Sequence, residues 1–231
     1  MGYGFDDFKD YLKFRMGQRT ELESVNGSIN LYGVWVNAAY KELTTRNVFW
    51  GVRLPFDFPE LKADNSPGVS TSDGVAYIST PSDCLHVYEI WDETNKVHLD
   101  GIGWKKYISY PERKNTSAEN KPAEWARYGS YIYVYPTPDD AYTLWVYYRK
   151  RPSALTGTNE TAIGEEWDEA ILELAAFKGH RWLHEYSYAK QCQEAFMEIV
   201  TNLIGIYSRE EMASRRTARP STRMQISYRG A

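Results

Sequence analysis

Residues 131–152 read YIYVYPTPDDAYTLWVYYRKRP, two strand-like runs around a Pro-Thr-Pro-Asp-Asp turn. Successive side chains of a strand leave opposite faces, so a half-exposed strand alternates apolar and polar residues. Here both faces are apolar or aromatic. Tyr131, Tyr133 and Tyr135 point one way and Ile132 and Val134 the other; Tyr142, Leu144, Val146 and Tyr148 oppose Trp145 and Tyr147. One face belongs to a core. The second needs a cover, and two kinds fit: another sheet of the same chain, or the surface of another molecule, where Tyr is favoured.

Outward from this stretch, residues 47–152 read as an antiparallel β-domain of about six or seven strands. Its runs are VFWGVRL, VAYIST, LHVYEIWD, KVHL, KKYISY, SYIYVY and YTLWVYY, separated by Gly, Pro and Asn. The segment from Pro55 to Asp73 reads as a long polar loop. On both sides the period changes to that of a helix. Phe5, Phe8, Leu12 and Met16 form one stripe that ends at Gly17; Ile29, Tyr32, Val36, Ala39 and Leu43 form another, from about Ser28 to Thr45. Beyond the β-domain, Trp167, Ile171, Leu174 and Phe177 follow a first turn rich in acids, and Cys192, Phe196, Ile199, Leu203 and Ile206 follow a break near Ser187. The expected fold is α+β: a four-helix body (1–46 and 153–208, two N-terminal and two C-terminal helices), an inserted β-domain (47–152) and an extended basic C-terminal tail (209–231). Tyr32, Trp35, Val36, Ala39, Tyr40, Leu43, Trp167, Ile171, Leu174, Phe196 and Ile199 are the candidate helical core.

The 231 residues are 42% hydrophobic and 25% charged, as in globular domains. Aromatics are in excess, with 19 Tyr, 8 Trp and 8 Phe, which suits broad contact surfaces or sugar-stacking platforms. The net charge of -4 is unevenly spread: Arg215, Arg216, Arg219, Arg223 and Arg229 stand in a terminal segment with no acid, and the rest carries 22 basic against 31 acidic groups. An acidic body excludes a duplex-DNA-binding face of the usual basic kind. Met224, Ile226 and Tyr228 among the tail arginines suit a segment that orders on a partner. Two cysteines without ligand spacing point to a reducing compartment, and no signal peptide or membrane span is expected.

No motif carries catalysis. His180 and His184 have zinc spacing, but Arg181 stands where a metalloprotease has Glu. Glu165, Glu166, Asp168 and Glu169 complement a helix dipole. DGIGWKK, residues 100–106, lacks the full phosphate-loop pattern. The expectation is a protein without enzymatic activity, metal or cofactor.

Three blocks, in order, resemble tailed-phage head-to-tail adaptor proteins of the short-tailed type. The first is YLKFRMGQRTELESVNGSINLYGVWVNAAYKELTTR, with its Trp35, Val36, Asn37, Ala38, Ala39, Tyr40, Glu42, Leu43 core. The second is WARYGSYIYVYPTPDDAYTLWVYYRKRPSALT, and the third IGEEWDEAILELAAFKGHRWL. The resemblance implies a structural virion protein: a ring, usually of twelve subunits, at the head–tail junction beneath the portal. Its partners would be the portal protein, neighbouring subunits, a tail nozzle or gatekeeper protein and the passing genomic DNA, bound without sequence specificity; a membrane is not among them. The chain would be made in the host cytoplasm. In such a ring Arg215, Arg216, Arg219, Arg223, Met224, Ile226, Tyr228 and Arg229 would meet the portal. Tyr131, Tyr133, Tyr135, Trp145 and Tyr147 would meet the next subunit. The alternative is a virion carbohydrate-binding or tail-fibre-associated module using exposed Tyr and Trp.

Overall fold

The computed structural model is α+β and describes residues 2–46, 48–53, 58–111 and 119–217, with 207–217 as backbone only. In chain order the elements are α1 (Phe5–Arg15), α2 (Leu31–Thr45), β1 (Val48–Phe49), β2 (Val52–Arg53), β3 (Lys62–Asp64), β4 (Val69–Ser70), β5 (Tyr77–Ser79), β6 (Cys84–Asp92) and β7 (Val97–Gly101). Then follow α3 (Trp104–Ser109), β8 (Glu124–Tyr128), β9 (Tyr131–Tyr135), β10 (Thr143–Lys150), α4 (Asp168–Trp182) and α5 (Tyr186–Thr217). The chain separates into two compact units, Met1–Phe56 with Leu155–Ala231, and Asp57–Ala154.

The first unit is helical. Asn30 caps α2, its Oδ1 accepting from Gly33 N at 3.1 Å, so the helix starts at Leu31 rather than near Ser28. Its stripe Tyr32, Val36, Ala39 and Leu43 is buried together with Trp35 and Tyr40. A Cβ on Gly33 would lie 2.9 Å from Phe5 Cζ, so the bare backbone lets α1 close on α2. Along α4 and the turn that opens it, Trp167, Ala170, Ile171, Leu174, Ala175 and Ala176 are buried around most of the circumference, because α1, α2 and α5 all pack on the helix. On α5, Ala189, Cys192, Phe196, Val200 and Leu203 are buried; Ile199 is half-buried beside them.

The expected four-helix body needs correction. Among the described residues there are five helices, and one of them, α3, lies in the sheet unit. The first expected β-run is instead a two-stranded ribbon of the helical unit, with Phe49 buried against Phe196. The last helix continues to Thr217, where an extended tail was expected from residue 209. Between Ser208 and Thr217 there is no apolar period, but the residues are mostly good helix formers without Gly or Pro, which suffices to extend an existing helix.

The second unit is a curled sheet in the order β3-β10-β6-β7-β8-β9-β5, with β4 also on β10. Ile78, Val87, Ile90, Leu99, Trp125, Ile132, Val134, Leu144 and Val146 form one apolar core on its inner face. Two short strands and a 3-10 turn, Pro59–Leu61, occupy much of the segment expected as a loop from Pro55 to Asp73. Among the described residues all ladders in the sheet are antiparallel except β7 with β8, which run parallel in the register Asp100↔Glu124 and Gly101↔Trp125. A parallel pair needs a crossover, and residues 102–123 supply it. That is why KKYISY, expected as a strand, is the helix α3.

Candidate functional site

Tyr131, Tyr133 and Tyr135 stand on the outer face of β9, while Ile132 and Val134 enter the core. The register sets Tyr77 of β5 opposite Tyr133 and Tyr128 of β8 opposite Tyr131. The crossover helix lies on this face. Trp104 stacks on Tyr128, with ring centroids 4.4 Å apart and planes at 14°, and on Tyr107 at 5.2 Å; it meets Tyr133 at 4.9 Å. Tyr110 stacks on Tyr135 at 4.3 Å. The cover for this part of the second face is therefore a helix of the same chain, a third possibility beside a second sheet or another molecule.

The cover is incomplete: Tyr77, Tyr128 and Tyr131 are 48%, 56% and 43% exposed, on three adjacent strands ending at the sheet edge. At the other end of the face, Glu124 accepts from Tyr110 Oη at 2.6 Å and from Lys106 Nζ at 2.8 Å. Lys106, then Tyr110, hold its carboxyl below the usual range, while Glu124 pushes the Tyr110 hydroxyl up.

Trp145 and Tyr147 do not join this cluster. β10 is separated from β9 by β6, β7 and β8, although the two strands follow one another in sequence. Trp145 Nε1 donates to Pro67 O at 3.2 Å, and its ring rests over Gly68. Gly68 has φ +102°, and a Cβ there would lie 2.7 Å from Trp145 Cδ1. Only glycine serves at that position. Tyr147 lines a shallow groove of about 390 Å³ with Lys62, Tyr88 and Glu89.

In the helical unit, the adaptor-like residues of α2 act as pins. Asn37 Nδ2 donates to Leu155 O at 3.1 Å and its Oδ1 accepts from Leu155 N at 2.7 Å; Tyr40 Oη accepts from Ala162 N at 2.9 Å. Glu42 pairs with Lys178 and Arg46. Two buried carboxylates were invisible as such in the sequence. Asp168 accepts from Tyr3 N at 2.8 Å, and Glu173 pairs with Arg15. Burial, the largest cause, pushes both carboxyls above the usual range.

The zinc-spaced histidines diverge. His180 is buried on α4, with Nδ1 2.7 Å from Glu185 Oε2, while Arg19 holds the other oxygen at 2.5 Å. His184 lies past the helix end at φ 60°, with Nδ1 3.1 Å from Tyr186 Oη. Among the described residues no group of three His, Cys, Asp or Glu side chains gathers to hold a metal. No helix among them is long and apolar enough to cross a membrane. Arg219, Arg223, Met224, Ile226, Tyr228 and Arg229 lie outside the described residues, as do the side chains of Arg215 and Arg216.

The arrangement offers surfaces for contact, and the contact partners that sequence reasoning missed are those of the crossover helix. Trp104 and Tyr107, three apart after Gly103, are the signal that marks them. No curated protein matches the chain. Residues 5–223 match the family model described as SU10 adaptor protein. With a match spanning both the helical pins and the aromatic sheet, the chain belongs to the SU10 adaptor protein family, a family of phage structural adaptors.

Proposed function

We propose that this adaptor forms a ring, of twelve copies in the arrangement favoured here, that joins the portal of the DNA-filled head to the tail and surrounds the DNA exit channel. The observation that carries the reading is the family match across residues 5–223. Arg215, Arg216, Arg219, Arg223, Met224, Ile226, Tyr228 and Arg229 are the segment assigned to the portal. The outer sheet face, with Tyr131 at its edge, is assigned to a neighbouring copy, since Tyr suits wet, mixed interfaces. Apart from that segment the chain is acidic, which suits a channel through which DNA slides without adhering. The lower side of the ring receives a nozzle or gatekeeper protein.

The test mixes the purified chain with the portal of its phage and images the product by negative-stain microscopy. A ring in register beneath the portal is the expected result; monomers that ignore the portal overturn the reading. The exposed trio Tyr77, Tyr128 and Tyr131 supports a second reading, a glycan-stacking module. Glycan capture by the same sample, without portal binding, would favour it.

A further inference from the structure

Two recesses of opposite character border helix α4. At one, Glu169 and the buried Glu173 line a groove of about 510 Å³ with Leu172, with Arg15 and with the aromatic rings of Tyr3, Tyr11 and Phe14 of the N-terminal segment. Tyr11 and Phe14 are 52% and 71% exposed, far more than a monomer needs for packing α1. Arg15 holds one oxygen of Glu173; beyond the weak thiol of Cys192, the buried Oε2 has no hydrogen-bond partner.

At the other, a cavity of about 360 Å³ is lined by Arg46, Lys178 and Arg181, with Trp50 and Phe177 between them. The one acid among its described lining residues, Glu42, is occupied by Lys178 and Arg46. Arg181 lies over the Phe177 ring at 5.6 Å and Arg46 over Phe49 at 5.8 Å. Trp50 sits at the ribbon tip with φ 44°, a left-handed conformation that a bulky side chain adopts only at a cost. It remains 42% exposed. Exposed Trp flanked by Arg is the composition of an interface anchor.

One compact unit thus carries an acidic, aromatic groove and a basic, aromatic cavity on different flanks of one helix. Two different patches that complement each other make a head-to-tail contact, the kind that closes rings. We infer that the occupant of each is a second copy of this chain, with the Trp50–Arg181 cavity of one helical unit seated on the Phe14–Glu169 groove of the next. This rests on the ring reading but names a contact in the helical unit, separate from the sheet.

The test uses the full chain carrying single exposed cysteines, with native Cys84 and Cys192 buried. Arg181→Cys and Glu169→Cys proteins are mixed at high concentration and joined by a short bis-maleimide. The expected result is at least a tenfold excess of mixed dimer over a control mixture in which Lys190→Cys replaces Arg181→Cys. Equal yields overturn the inference. As a second measurement, Arg181→Glu weakens self-association about tenfold, and mixing it with Glu169→Arg restores it; failure of the swap to restore association also counts against the contact. If rings form on the portal but neither result appears, the inference falls and the ring stands. If the mixed dimer forms while no ring assembles, the contact stands and the ring reading falls.

Discussion

In the helical unit the buried acids join segments far apart in sequence: Asp168 holds the backbone of Tyr3, and Glu173 meets Arg15. In the sheet unit a fully buried acid, Asp92, is satisfied within its own turn by Asn95, through N at 3.0 Å and Nδ2 at 2.7 Å. The difference follows from what each unit already has. Sheet strands are stitched together by backbone ladders, which leaves a buried acid such as Asp92 free to shape a turn. Helices spend their backbone hydrogen bonds internally and need side chains to fix the segments between them.

The largest expected effect tests the helical side of this contrast. Trp167, 1% exposed, anchors the start of α4, and Trp167→Ala should cost about 3–5 kcal/mol in denaturant unfolding. A loss below about 1 kcal/mol would mean that polar pins, not packing, hold α4. On the sheet side, Gly68→Ala combines an unfavourable φ with a clash against Trp145 and should cost about 2–4 kcal/mol; a neutral result would show that the β3–β4 connection is free to move. Smaller still is the ring stack. A double-mutant cycle of Trp104→Ala and Tyr128→Ala should give a coupling of about 0.5–1.5 kcal/mol, and additivity would reduce α3 to a passive lid.

The subtlest test is pH. Burial raises the Asp168 and Glu173 carboxyls, so the folded state binds protons more tightly than the unfolded chain does. Their contribution to stability is present below the ordinary carboxylate pKa and lost as pH rises through the raised one. Glu173→Gln should therefore gain stability relative to the parent as pH increases across that window. Glu124, lowered by Lys106 and Tyr110, behaves oppositely: its contribution is present above the ordinary value and lost as pH falls through the lowered one. Parallel pH profiles for Glu173→Gln and the parent would remove the distinction between the two kinds of acid.

The stripe Tyr32, Val36, Ala39 and Leu43 was legible because a long helix repeats its period often enough to exclude a strand. KKYISY was not, because six residues satisfy both periods, and what decided it was the parallel pairing of β7 and β8, the strands before and after it in the chain. The ribbon at Val48–Arg53 reads as strand correctly, but no local signal assigns it to the helices. The same limit governs the candidate surfaces. That Tyr131, Tyr133 and Tyr135 share an outer face follows from alternation, whereas their separation from Trp145 and Tyr147 follows from strand order, which alternation does not encode. The acidic groove joins α1 to α4, and the basic cavity joins α2 and the ribbon to α4, so no single stretch of sequence displays either.

The crossover helix has an optical consequence. Trp104 lies nearly parallel to Tyr107 and Tyr128, with Tyr133 tilted beside it. Rings held so closely in a fixed chiral arrangement couple their electronic transitions, and tyrosine excitation passes efficiently to the indole. The near-ultraviolet circular dichroism of the protein should therefore carry a strong signature from this one cluster. Its loss would report α3 lifting from the sheet while the far-ultraviolet spectrum stays constant, which gives assembly experiments an intrinsic probe at the aromatic face.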